Sequence, residues 1–114
     1  MRIFRKIAER IRGFKIKNGV LIKYKGKKRK VIIPAGVTSI GDEAFGFCRS
    51  KSIVIPNSVT SIGGRAFSGC SSLKTIEYIG TEEQWEAVKK DWNWNPEYAK
   101  VICTGAYYGN SKSI

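Results

Sequence analysis

Residues 31–48 read VIIPAGVTSIGDEAFGFC, and residues 53–70 read IVIPNSVTSIGGRAFSGC. At an offset of 22 residues, Pro34 matches Pro56 and Val37-Thr38-Ser39-Ile40-Gly41 matches Val59-Thr60-Ser61-Ile62-Gly63. Ala44-Phe45 likewise matches Ala66-Phe67, and Cys48 matches Cys70. A period in the twenties with spaced aliphatics predicts a solenoid, because one such unit cannot bury its apolar side alone and stacked units share a core.

Each position has a place in such a coil. The β-branched runs VII and IVI suit short strands. Pro34 and Pro56 end them, since proline cannot donate to a ladder. TSI forms a second short extended piece, and Gly41 and Gly63 allow the turn after it. DEAFGFC and GRAFSGC then make one helical turn that sends Ala and Phe inward. Cys48 and Cys70 stack as small apolar fillers and are expected to be free thiols. In the strands, alternation turns Val31 and Ile33 inward and Ile32 outward, beside an outward Val54, with Glu77 next in line.

The pattern IP-x-x-V-T-S-I-G-x-x-A-F-x-x-C resembles the BspA-type leucine-rich repeat. The resemblance covers residues 14–105. FKIKNGVLIKYKGKKRKVIIP is similar to the family's opening hairpin, and EYIGTEEQWEAVKKDWNWNPEYAKVICTG is similar to its closing segment, in which Gly-Thr-x-x-x-Trp begins a capping helix. It implies a hairpin over 14–30, repeats over 31–52 and 53–75, a C-terminal cap over 76–105 and a tail over 106–114. One departure stands out: Leu73 follows Cys70 by three residues, whereas Lys51 takes the leucine slot after Cys48, with one residue fewer before the strand.

The closing segment also reads well physically. Thr81 is an N-cap with Gln84 at the capping-box position, and Glu82 and Glu83 lie in the first turn, Lys89 and Lys90 in the last. Trp85 and Val88 share the face that would close the stack, and Trp92 and Trp94 read as cap core. The fold class is therefore α+β: a short leucine-rich-repeat solenoid of strand and turn coils with an N-terminal amphipathic helix and a C-terminal capping helix.

Charge is divided unevenly. Of 21 Lys and Arg and nine Asp and Glu, residues 1–30 hold thirteen cations and one acid, Glu9, while residues 31–114 hold eight of each. The net charge of +12 thus belongs to the first quarter of the chain. Its natural partners are phosphates or an acidic protein face. Over residues 1–13, Ile3, Phe4, Ile7, Ala8 and Ile11 fall on one helical side and Arg2, Arg5, Lys6, Arg10 and Arg12 on the other. This helix is either a lid on the open end of the stack or an effector that engages a partner or a membrane surface. KGKK around Gly26 reads as the turn of the opening hairpin, between VLIKY and KVII. Lys23, Lys25, Lys27, Lys28, Arg29 and Lys30 are candidates for contact; edge protection against aggregation is the competing explanation.

Catalysis is not expected. The chain has no histidine, the three cysteines lack paired-ligand zinc spacing, and no glycine-rich phosphate loop appears. No cofactor, metal or small-molecule substrate is implied. Without a secretion-signal pattern or a membrane span, and with three cysteines, the expectation is a cytoplasmic protein. The expected function is non-enzymatic binding in which the basic N-terminal surface engages nucleic acid or a nucleoprotein complex, in the manner of a small phage-type, anti-CRISPR-like inhibitor. The alternative is a protein–protein adaptor that uses the strand face at Ile32 and Val54.

Overall fold

The computed structural model describes residues 12–105. They form a small β-solenoid of about four coils. The helix expected over 1–13 lies outside the described residues, apart from Arg12 and Gly13, which sit in a turn.

Among the described residues, nine strands make two sheets. The first contains β1 (Phe14–Lys17), β2 (Val20–Tyr24), β4 (Ser39–Ile40), β6 (Ser61–Ile62) and β8 (Lys89–Lys90), in that order. The second contains β3 (Lys30–Ile32), β5 (Ser52–Pro56), β7 (Thr75–Ile79) and β9 (Lys100–Cys103). Only β1 and β2 pair antiparallel; the other pairs are parallel, as expected when each coil returns one layer higher. A third ladder joins the turns, with Glu43, Phe45 and Phe47 N–H donating to the carbonyls of Gly64, Ala66 and Ser68. Coil backbones meet closely on that side. A Cβ on Gly63 would lie 2.5 Å from Asp42 N, so glycine is required there by space rather than by φ.

Columns of like residues fill the interior. Val31, Ile53, Ile76 and Val101 are in register on the second sheet, and Leu21, Ile40 and Ile62 on the first. Between the sheets runs an aromatic stack. Phe14 meets Tyr24 at 4.8 Å between ring centroids, Tyr24 meets Phe45 at 5.4 Å, Phe45 meets Phe67 at 5.2 Å, and Phe67 meets Trp94 at 6.0 Å. Cys48 and Cys70 are free thiols in contact, Sγ to Sγ 3.0 Å. The Cys70 hydrogen bond lowers Cys48 to about 7 against the opposing effect of burial, while the same bond and burial raise Cys70. The pair therefore releases its first proton easily and its second with difficulty.

Three expectations are corrected. The opening hairpin turns at Asn18-Gly19, both at positive φ (51° and 77°), not at KGKK. Asn-Gly is the pair that a two-residue hairpin turn favours. The run Lys25–Arg29 instead crosses from the first sheet to the second. In the leucine slot of the first repeat, Ser50 replaces Leu73, not Lys51: Ser50 is buried and its hydroxyl donates to Lys28 O at 2.6 Å. Lys51 is exposed and aligns with Lys74, because β5 and β7 pair Ile53 with Ile76, an offset of 23 rather than 22.

The closing helix is the third correction. The one helix among the described residues, α1 (Glu82–Ala87), has the expected Thr81–Gln84 capping box but only six residues, none of them buried. It stands between β7 and β8, where the other coils have the Pro-x-x-Val turn, so it widens a coil instead of lidding the stack. Lys89 and Lys90 lie in β8 rather than in the helix. Lys90 falls in register with Ile62, its ammonium 4.3 Å from the Trp85 ring centroid and donating to the carbonyls of Trp85 (2.7 Å) and Val88 (2.9 Å). Burial lowers its pKa. Trp85 and Trp94 do join the core, 5.5 Å apart, with Trp85 also against Tyr78, whereas Trp92 is 69% exposed.

Candidate binding surfaces

The strand register builds the first surface. On the outer face of the second sheet, Ile32, Val54, Glu77 and Ile102 form one row across four strands. Beside it runs the row Lys30, Ser52, Thr75 and Lys100. Ile32 is 63% exposed and Ile102 38%, while Val54, between Ile32 and Glu77, retains 8%. The apolar ends of the row are thus more open than its centre.

A cationic column borders this face. The N–H groups of Lys51 and Ser52 donate to Arg29 O, those of Lys74 and Thr75 to Lys51 O, and that of Lys100 to Lys74 O. Arg29, Lys51 and Lys74 therefore stack at the spacing of neighbouring strands, about 4.8 Å, and all three are exposed. Like charges in adjacent positions disfavour the fold. Lys51 and Lys74 lie beyond the basic first quarter; reading the residue before each strand as a column would have found them.

The remaining expected cations divide between two cavities. Arg12, Lys28 and Lys30 line a cavity of about 520 Å³ beside the first coil, with Phe14, Tyr24 and Ile32. Lys23, Lys25 and Lys27 line a groove of about 540 Å³ on the turn side, with Phe47, Cys48 and Arg49. The Lys23 ammonium donates to Glu43 O at 3.2 Å, while Lys25, Lys27 and Arg49 are exposed. Arg2, Arg5, Lys6 and Arg10 lie outside the described residues. Among the described residues no group of three His, Cys, Asp or Glu side chains could hold a metal, and no helix is long and apolar enough to cross a membrane.

The chain matches the family described as BspA type leucine rich repeat region (6 copies) over residues 15–86. Solved structures share the coil architecture. A leucine-rich repeat protein from Bacteroides capillosus is 23% identical with a TM-score of 0.55, over 79% of this chain and 91% of that one. A leucine-rich cell surface protein from Faecalibacterium prausnitzii is 25% identical with a TM-score of 0.50, and the match spans 79% of this chain but only 30% of that protein. A T. pallidum leucine-rich repeat protein is 20% identical with a TM-score of 0.50, over 82% of this chain and 62% of that one. No curated protein matches.

Proposed function

Because the chain belongs to the BspA-type leucine-rich repeat family, we propose that it is a protein-binding module whose contact surface is the outer face of the second sheet. The observation that carries this reading is the row Ile32–Val54–Glu77–Ile102 beside the cationic column Arg29–Lys51–Lys74. The exposed Ile32 and Ile102 supply area to bury, and the adjoining charge selects an acidic partner surface and speeds encounter. The rigid coil stack holds these side chains on neighbouring strands, so little order has to be created on binding. The expectation of a phage-type inhibitor rested on size and charge, and the coil geometry adds nothing to it.

The test is affinity capture from lysate with the wild-type chain and with Ile32→Asp/Ile102→Asp and Lys51→Glu/Lys74→Glu variants, each with and without nuclease treatment. A protein retained by the wild type after nuclease treatment and lost by both variants supports the reading. Retention by both variants would reject this face.

A further inference from the structure

On the turn side of the solenoid, Phe47 is 81% exposed with its backbone in the left-handed region (φ 59°). Left-handed backbone at a bulky aromatic is an outlier, and such strain concentrates at functional positions. The matching residue of the second repeat is Gly69, at φ 73°, the residue type this geometry favours. The first repeat therefore carries a large ring where neither core packing nor backbone preference calls for one. The ring lies against Gly69, where a Cβ would come within 2.5 Å of it.

The surroundings of the ring are cationic. Lys23, Lys25 and Lys27 come from the preceding coil, and Arg49 follows two residues after Phe47; all line the same groove. The edge continues along the stack. Arg65 lies 5.2 Å over the exposed Trp92 ring, and its N–H donates to Trp92 O in the next coil. Cations and an exposed aromatic ring thus meet at two places on the turn side, where the exposed Asp42 and Glu43 also stand, away from the sheet face assigned to protein binding.

We propose that this edge binds single-stranded nucleic acid, with phosphates along Lys25, Lys27 and Arg49 and a base stacked on Phe47. Unpaired bases offer a π-face that duplexes and acidic peptides lack, and an aromatic platform beside a basic groove recognises that combination. Phe47 ends the turn and Arg49 follows two residues later, both exposed, so a phosphate and its neighbouring base can be held together. Little base preference follows, because every base stacks.

The test uses the full chain and fluorescence anisotropy with labelled 12-nucleotide oligo-dT and oligo-U, which separates DNA from RNA. Wild type should bind at least one of them, with a log–log salt slope near −0.7 for each phosphate neutralised. Phe47→Gly should weaken binding by about fivefold to a hundredfold, the range reported for loss of one stacked base, and leave the salt slope unchanged. Phe47→Trp should retain affinity. Arg49→Gln should flatten the slope by roughly one phosphate's worth. The thermal midpoint of Phe47→Gly should hold or rise, since glycine suits this backbone; if that variant is poorly folded, Phe47→Asn and Phe47→Trp decide the question. Absence of binding to both oligonucleotides at low salt would overturn the proposal. So would equal affinity for heparin or poly-glutamate with no dependence on the Phe47 ring. Because the sheet face is untouched, these outcomes are independent of the protein-binding test.

Discussion

The two repeats use nearly the same motif, and two of their differences, one inward and one outward, change what the coil packs and presents. The second repeat places Leu73 in its core slot and Gly69 on its turn; the first places Ser50 and Phe47 in those positions. At the shared centre nothing differs, since Phe45 and Phe67 are both fully buried and 5.2 Å apart. The comparison teaches that the stack tolerates change at coil corners while its centre stays fixed, because corner groups can find backbone partners or solvent and the central rings can find only each other.

The centre should be the hardest to break. Phe67→Ala is expected to cost about 3–5 kcal/mol, and Phe45→Ala a similar amount, by emptying a shared core position. Chemical denaturation measures both; a loss below about 1 kcal/mol for either ring would mean that the stack is not the core. At the corner, Leu73→Ala should cost about 2–5 kcal/mol, whereas Ser50→Ala, which gives up only the hydrogen bond to Lys28 O, should cost about 0.5–1.5 kcal/mol. Equal losses would show that the two slots are equivalent after all.

The turn residues should respond with opposite signs. Gly69→Ala is expected to destabilise by about 1–2 kcal/mol, from left-handed strain and collision with the Phe47 ring, while Phe47→Gly should be neutral or stabilising by up to about 1 kcal/mol. Thermal melts of the two variants side by side decide it, and destabilisation by both would make Phe47 a structural residue. Charge reversal of Lys27, Lys28 and Arg29 to Glu should change stability by no more than about 0.5 kcal/mol, because these side chains are exposed.

The last comparison concerns the stacked thiols. Cys48 is an acid whose folded value is depressed from 9.0 to about 7, so its contribution to stability is present above pH 9 and is lost as pH falls through 7. Cys70 is shifted upward, so its contribution is lost as pH rises above 9; the two thiols act in separate windows, and the pair favours the fold most near pH 9. Alkylation rates separate the sites better. Cys48 should reach half its maximal rate near pH 7, and Cys103, raised by burial, above pH 9. Identical pH profiles would show that the Cys48–Cys70 hydrogen bond does not form in solution.

Much of the stack is legible in the residues. Alternation sets Val31 and Ile33 inward and Ile32 outward, and the doubled motif puts Phe45 over Phe67 and Cys48 against Cys70. The candidate surfaces are less legible. The basic run Lys25–Lys30 can be read directly, but Lys51 and Lys74 join Arg29 only through pairing across coils, and Phe47 reads as one more helical-turn residue until its backbone is seen.

The sequence by itself determined that this chain stacks, which side chains face inward, and where its excess charge lies, because each follows from local period and composition. Only the tertiary structure decided who neighbours whom where the segments between strands differ in length. The shorter path from Cys48 to the next strand resets the offset from 22 to 23, seats Ser50 inside and turns Lys51 outward. The hairpin closed at Asn18-Gly19, α1 became part of a coil, and Lys90 came into line with Ile62. Local preference chooses a residue's face; the inter-coil hydrogen bonds, which depend on the length of every intervening turn, choose its neighbours.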